Sequence, residues 1–416
     1  MNTKNNLKGY FIPSLLILIT IILTSSLLHG HFRLFAMSWL WMGMGCIICL
    51  VFYNKFLSNR WILWLAVYAA IVFVNYLLGN TFLGSLPETI MEVALLFFIY
   101  AFSIIVINKE ISSVNKWFVF SQLLVLLITS LLSIYVDRYS PGIIRETVSL
   151  VNMGNTAEAA PYYRLGVCEY GFPHAVPIII PGIMVLIKNK TIKPFFRILF
   201  FGVLVIGLFL VFISGVTTSL ILSLFGFLAS IVIDENRSTK NVRNLIILTV
   251  FLSPLLNDNV MLRVLQTSER FIPEENKILG KIINMEESIK SESGNKSLQS
   301  REVRYQMSLE AFAKNPLLGV NDDSLIGGHS AFLDRLAAFG LLGIIPYLLF
   351  IFYFVKRLFK RIPERSRLFF FIGMAGFIIM MTAKNMSNIY VWLYSFCFLP
   401  GLLVLNNNVP RFMRKH

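Results

Sequence analysis

Two arginines and one histidine are the side chains whose types and spacing best suit reaction chemistry. Arg301 and Arg304 are three residues apart, so they would share one face of a helix, and His329 follows Gly327-Gly328. Arginine is permanently charged and fork-shaped, which suits it to hold a diphosphate through paired hydrogen bonds. Histidine titrates near neutral pH and can accept a proton from a hydroxyl group. These residue types suit group transfer at a phosphorylated substrate, and the alternative is that His329 is an ordinary histidine outside the membrane without a catalytic role.

A second group of polar side chains lies upstream, in the stretch YYRLGVCEYGFPHAVPIIIPG (162–182). Arg164 can hold a phosphate bidentately, and Tyr163 offers a flat aromatic face of the kind that binds sugars. Glu169 and His174 are further candidate site residues in the same stretch. The alternative is an amphipathic loop in which Arg164 and the tyrosines rest at the level of the lipid headgroups.

Two carboxylates, Glu88 and Glu92, are four residues apart and would face the same side of a helix. Glu88 follows Pro87 in the first turn, where an acidic residue complements the helix dipole, so a structural role is favoured for it. Glu92 lies one turn deeper in an apolar segment. A carboxylate at that depth usually faces a cavity or a cationic partner, so both a structural and a functional role are open for Glu92.

The elements that must position these side chains are apolar segments of membrane-spanning length. Of the 416 residues, 56% are hydrophobic and 14% are charged, and the mean hydropathy is +0.71. A bilayer span takes about 20 mostly apolar residues. About twelve such segments are predicted, at residues 10–28, 34–53, 61–79, 88–107, 117–136, 174–187, 195–213, 216–233, 244–256, 337–355, 368–383 and 389–405. The predicted fold class is therefore an all-α polytopic membrane protein.

The predicted organisation has three parts. Residues 1–256 hold the first nine segments, with an extracytoplasmic loop at 137–173. Residues 257–330 form a large, partly helical extracytoplasmic loop between the ninth and tenth segments. Residues 331–416 hold the last three segments and a cytoplasmic tail.

Local signals add detail to two of these elements. In the large loop, Ser300 is predicted to cap a helix from Arg301 to Lys314. His329 is predicted at the junction between a mobile loop and a rigid helix that starts at Ser330. A broken or re-entrant start is predicted for the sixth apolar segment, because prolines lie in it or just before it. These prolines are Pro173, Pro177 and Pro181.

The net charge of +15 is explained by membrane topology rather than by nucleic-acid binding, which we exclude. With the N-terminus in the cytoplasm and alternating segments, the cytoplasmic stretches hold 22 of the 37 basic residues and four acidic ones. Cytoplasmic loops of membrane proteins are enriched in Lys and Arg, so we expect both termini in the cytoplasm. The four cysteines, three of them in apolar segments, indicate neither disulfides nor a metal site.

Two groups of motifs resemble the bacterial O-antigen polymerase and O-antigen ligase superfamily. The first is an arginine-led helix followed by N-P-L-L-G-V (315–320), G-H-S-A-F-L (328–333) and F-G-L-L-G-I-I (339–345). The second is Y-R-L-G followed by F-P-H-A within residues 163–175. The resemblance covers most of the chain, and the order and topological placement of the motifs carry it.

The resemblance implies a GT-C-like glycosyltransferase of the bacterial inner membrane. It would polymerise undecaprenyl-diphosphate-linked oligosaccharide repeat units, on the outer face of that membrane, into the O-antigen of lipopolysaccharide or into a capsule. An O-antigen ligase and, more distantly, a lipid-linked oligosaccharide flippase or other transporter are the alternatives. Besides membrane lipid, a chain-length regulator protein and a flippase are candidate partners.

The resemblance also implies roles for the candidate residues. Arg164 and Arg301 or Arg304 would hold the diphosphate, and His329 would activate the acceptor hydroxyl. Family members carry an arginine after a serine in segment eight, where this chain has Ser214-Gly215-Val216, so Arg164 would take that part. Diphosphate is a good leaving group, so neither a cofactor nor a metal is expected.

Overall fold

The helices of this protein are seen in a computed structural model. It describes residues 11–28, 38–57, 62–108, 112–140, 142–152, 156–233, 266–267, 283, 296–385 and 387–415. Within these residues the fold is all-helical and contains no β-strand. The main helices are α1 (Ile12–Thr24), α2 (Ser38–Leu57), α3 (Ile62–Leu77), α4 (Leu86–Val106), α5 (Ser112–Tyr139), α6 (Ile143–Asn152), α7 (Thr156–Arg164), α8 (Gly171–Lys188), α9 (Pro194–Ile213), α10 (Thr217–Val232), α11 (Lys296–Lys314), α12 (Ala331–Arg361), α13 (Arg367–Ala383), α14 (Ile389–Leu393) and α15 (Leu399–Asn407).

Seven helical stretches in the described part of the chain are long and apolar enough to cross a bilayer. They are α4, α5, α8, α9, α12, α13 with its preceding turn, and α14 joined to α15 by a π-helical turn. Shorter apolar helices α1, α2, α3 and α10 match four further predicted segments. The architecture is that of a polytopic membrane protein, as predicted. The ninth predicted segment (244–256) lies outside the described residues, so the count of twelve and the GT-C-like arrangement stay predictions.

Helix α8 corrects the predicted break at its prolines. It runs without interruption from Gly171 to Lys188, with Pro177 and Pro181 inside it. Proline removes an amide donor, but a membrane helix tolerates this where neighbouring helices enclose the freed carbonyl. Of the residues in this span, 89% are buried inside the protein. Pro181 has no amide hydrogen, so the Pro177 carbonyl four residues earlier lacks its helical donor. Helix α10 covers that carbonyl, because a Cβ on Gly226 would lie 3.6 Å from its oxygen.

The long helix α11 begins earlier than predicted. It starts at Lys296, so Ser300 lies inside the helix and is not its cap. The residues before Ser300 include Leu298 and Gln299, which are good helix formers, so the helix continues through them. The predicted C-terminus at Lys314 is confirmed.

Helix α4 begins with a capping box. The Ser85 amide donates to the Glu88 carboxylate at 2.6 Å, and Ser85 lies at the N-cap. This arrangement satisfies amides that the first helical turn leaves without partners. Glu88 therefore has the structural role that its position predicted.

Helix α12 is broken at Gly340, which was not predicted. Gly340 has φ +58° and ψ −164°, and the following amides of Leu341 and Leu342 donate outside the helix, to the carbonyls of Pro316 (2.8 Å) and Leu317 (3.1 Å). We call the segment Ala331–Phe339 the arm, because the break separates it from the rest of α12.

The two glycine motifs pack backbone to backbone at this break. A Cβ on Gly319 (φ +80°) would lie 2.4 Å from the backbone carbonyl of Ala338, and one on Gly340 would lie 2.4 Å from that of Leu317. Only glycine allows such an approach with a left-handed backbone. The motifs N-P-L-L-G-V and F-G-L-L-G therefore form one packed unit.

Substitution of Gly319 by alanine is expected to destabilise this unit. The left-handed conformation costs an L-residue about 1–2 kcal/mol, and the methyl group would also overlap the backbone of the arm. The thermal unfolding midpoint of the purified protein should fall by several degrees. Gly202→Ala is the matched control, because Gly202 lies in α9 with no atom within 4 Å of its Cβ position. An unchanged midpoint for Gly319→Ala would contradict the packing.

The turns of the bundle gather at two opposite ends. At one end, which we call the loop end, Asn321 donates to the Leu78 carbonyl (3.1 Å) and Tyr305 to that of Ala383 (3.0 Å). At the other, the basic end, the Lys193 amide donates to the Met413 carbonyl (2.7 Å). If successive apolar segments cross the membrane in opposite directions, the turns at each end of the bundle all lie on the same side of the membrane. The orientation, with the basic end in the cytoplasm, stays a prediction.

Candidate functional site

Arg304 and His329 come together at the loop end. A guanidinium nitrogen of Arg304 (Nη1) lies 3.4 Å from Nδ1 of His329, although 25 residues separate them in sequence. The Arg304 side chain is exposed and His329 is partly exposed. A permanent cation and a proton acceptor are therefore adjacent on an accessible surface.

The loop that carries His329 is held by the buried carboxylate of Asp334. Its two oxygens accept hydrogen bonds from the amides of Gly328 (3.2 Å) and Ser330 (2.9 Å) and from the hydroxyl of Ser308 on α11 (2.7 Å). Ser308 in turn accepts from the amide of Gly327 at 3.0 Å. Hydrogen bonds to a buried carboxylate are strong, so Asp334 stabilises this conformation of the loop. The mobility predicted for the loop stays a prediction.

Backbone contact with α11 also fixes the loop. A Cβ on Gly327 would lie 1.9 Å from the carbonyl oxygen of Arg304, and Gly328 has φ +72°. The glycine pair thus lets the chain pass directly over α11 before Ser330 caps the arm, accepting from the Leu333 amide at 3.3 Å. This contact explains why His329 comes next to Arg304.

The turn between α3 and α4 clamps the same region from the other side. The amide of the buried Asn80 side chain donates to the carbonyls of Val320 (3.0 Å) and Ala338 (2.8 Å). Thr81 donates to the Asp323 carboxylate at 2.5 Å. The packed glycine unit is thereby tied to the membrane helices.

Glu92 has a cationic partner, Arg335 of the arm. Arg335 donates from Nε (3.1 Å) and Nη2 (2.5 Å) to Oε1 of Glu92, and the two side chains are only 2% and 15% exposed. Tyr68 donates to the same carboxylate oxygen at 3.3 Å. Of the two environments that the sequence left open for Glu92, the structure has the cationic partner.

His174 is buried inside the bundle. Its Nδ1 lies 2.8 Å from the hydroxyl of Ser219 on α10, and Tyr170 packs edge-on against its ring at 4.8 Å between centroids. Among the described residues, no hydrogen-bond partner reaches its Nε2. The structure thus pairs His174 with a neighbouring helix.

Tyr163 and Glu169 lie close together near the end of α7. Burial, and next the nearby Glu169 carboxylate, raise the pKa of Tyr163 to about 12, so its phenol is protonated at neutral pH. Burial also raises the pKa of Cys168 to about 12, so its thiol is not a ready nucleophile. The side chain of Arg164 is exposed, and it forms no hydrogen bond or ion pair with another described residue. Its predicted role beside Arg304 stays a prediction.

Arg301 lies in α11, one turn before Arg304, as predicted. The placement of its side chain lies outside the described part of the structure. The contact between Arg304 and His329 is therefore the part of the predicted cluster that the structure brings together.

Asp334 and Arg335 are central to the site, and sequence reasoning missed both. The helix was predicted to start at Ser330 but its apolar segment only at residue 337, so the two charges lay before the apolar run and were not singled out. The helix starts at Ala331, capped by Ser330, and includes both charges. The available signal was an acidic and a basic residue next to each other at the edge of an apolar segment. A carboxylate in another apolar segment, Glu92, was the second part of that signal.

Among the described residues, no group of three or more His, Cys, Asp or Glu is placed to hold a metal ion. Comparison with known proteins found no family model, no curated protein and no solved structure that matches this chain.

Proposed function

We propose that this protein is a glycosyltransferase that polymerises polyprenyl-diphosphate-linked oligosaccharide repeat units at the outer face of the bacterial cytoplasmic membrane. The contact of Arg304 with His329, at the loop end of a polytopic helical bundle, is the observation that carries the proposal. The resemblance of the flanking motifs to the O-antigen polymerase and ligase superfamily supports it.

The reaction is a single displacement at the anomeric carbon of the donor sugar. The acceptor hydroxyl oxygen forms a bond to that carbon while the bond from the carbon to the diphosphate oxygen breaks. The hydroxyl proton passes to His329, and polyprenyl diphosphate leaves with the bonding electron pair. Diphosphate carries the developing charge, which Arg304 stabilises through its guanidinium donors, with Arg301 and Arg164 as further phosphate ligands.

The environment of His329 supports its role as the base. Its Nδ1 lies 3.1 Å from the carbonyl oxygen of Gly328, closer than the 3.4 Å to Arg304. A proton on Nδ1 donates to that carbonyl, which leaves the lone pair on Nε2 to accept a proton. The hydrogen bonds that the Gly328 and Ser330 amides donate to Asp334 hold this carbonyl in place.

Deletion of the gene tests the polymerase proposal against its ligase and transporter alternatives. We expect surface glycan that carries a single repeat unit, seen on a gel as loss of the long ladder. Because a ligase attaches the finished chain, its loss would leave no glycan attached. Loss of a flippase or transporter would leave repeat units on the inner face. Either of these outcomes, or an unchanged ladder, would contradict the proposal.

A further inference from the structure

We propose that the buried pair Glu92–Arg335 positions His329, by setting the depth of the arm relative to the membrane helices. Neither side chain touches the reacting atoms in this proposal, so they are positioning residues. The inference rests on the proposed function, because its readout is the turnover that His329 supports.

Contacts outside α12 hold the arm, and the hydrogen bond from Asn80 to the Ala338 carbonyl is one of them. The break at Gly340 ends the continuous helical hydrogen bonding, and the amides beyond it bond to the loop at Pro316 and Leu317. The arm is therefore not held at a fixed depth by the helix that follows it. Its position depends on side-chain and loop contacts, and Arg335 lies in its centre.

Arg335 connects the arm to two other elements at once. Besides its bonds to Glu92 on α4, it donates from Nη2 to the hydroxyl of Ser387, just before α14, at 3.0 Å. From Nη1 it donates to the carbonyl of Ala331, the first residue of the arm, at 3.0 Å. The guanidinium also lies over the ring of Tyr347, 5.1 Å from its centroid. These directional contacts fix the arm more narrowly than apolar packing alone.

The same elements hold the other half of the site. Tyr305, next to Arg304 on α11, donates to the carbonyl of Ala383 at 3.0 Å, close in sequence to Ser387. Asp334, next to Arg335, bonds to Ser308 of α11. Because Asp334 and Ser308 bond the arm to α11, a shift of the arm at Arg335 would move His329 relative to the membrane helices.

Stability alone does not account for a buried ion pair. Desolvation offsets most of its attraction, and replacing both partners with apolar residues of similar volume is often neutral or stabilising. Removing one partner is harmful, because it leaves a buried charge without compensation. If the pair has a purely structural role, the double replacement should restore both stability and turnover. If the pair positions the arm, the double replacement should restore stability but not turnover.

The test compares Glu92→Leu, Arg335→Met and the double variant, each purified and reconstituted in lipid. The single variants should have lowered unfolding midpoints, and the double variant should regain most of the loss. Turnover by the double variant should stay about 10- to 100-fold below that of the wild type, with an unchanged KM for the lipid-linked donor, because a displacement of about 1 Å can cost about 10²-fold. Wild-type turnover in a stable double variant would overturn the proposal.

A second variant covers the case in which the double replacement does not fold. Glu92→Asp keeps the charge but shortens the side chain by one methylene group, so Arg335 and the arm must shift. Turnover should fall with KM unchanged, and unchanged turnover would overturn the proposal. The control is Glu364→Gln at the exposed pair Glu364–Arg367 (3.4 Å), which should leave turnover unchanged. Failure of the wild type itself to extend glycan would instead refute the proposed function.

Discussion

Replacement of His329 by alanine is expected to abolish long-chain glycan and to lower turnover by about 10²- to 10⁴-fold, the usual contribution of a general base. His329 is partly exposed, and the amides of its neighbours Gly328 and Ser330 hold the loop by donating to Asp334. These hydrogen bonds to the Asp334 carboxylate do not involve the imidazole, so they remain in the variant. The protein should therefore reach the membrane in normal amounts while chain growth stops.

The matched control is His416→Ala, which removes a histidine that belongs to none of the candidate groups of site residues. Its chain-length distribution should equal that of the wild type. Normal chain lengths in cells that carry His329→Ala at wild-type abundance would show that His329 is not the base.

Replacement of Arg304 by alanine is expected to lower turnover by about 10²- to 10³-fold, the typical cost of removing one donor to a developing anion. Its exposed side chain contributes little packing, so the unfolding midpoint should change little. Arg304→Lys keeps the charge but loses the fork that binds two phosphate oxygens, so its turnover should be intermediate. Steady-state kinetics with a defined lipid-linked donor measures both variants.

Lys314→Ala provides the control for Arg304, because Lys314 is an exposed cation ten residues along the same helix. Its turnover should match that of the wild type. Equal losses in Arg304→Ala and Lys314→Ala would indicate a general effect of surface charge rather than a diphosphate contact.

The membrane helices were predictable because each needs a long apolar run, which is a local property of the sequence. Eleven of the predicted segments coincide with helices, and the contact of Arg304 with His329 joins two residues that their chemistry had singled out. The capping role of Glu88 is also local, since Ser85 is only three residues away.

The remaining features depend on contacts that are distant in sequence. The stretch F-G-L-L-G is typical of a continuous apolar helix, and its break follows from hydrogen bonds to Pro316 and Leu317. Arg335 and Glu92 are 243 residues apart, so no local pattern joins them. Pro177 and Pro181 were over-interpreted as breaks, because the enclosure of α8 by other helices is not visible in its own sequence.

Product stoichiometry with the purified protein tests the central claim most directly. The protein is reconstituted in lipid vesicles with a chemically defined undecaprenyl-diphosphate oligosaccharide, without nucleotide. Released undecaprenyl diphosphate and new glycosidic bonds are then counted together. We predict one carrier released for each bond formed, with loss of both in His329→Ala. No chain growth, or carrier release without chain growth, would contradict the assignment of this protein as a repeat-unit polymerase.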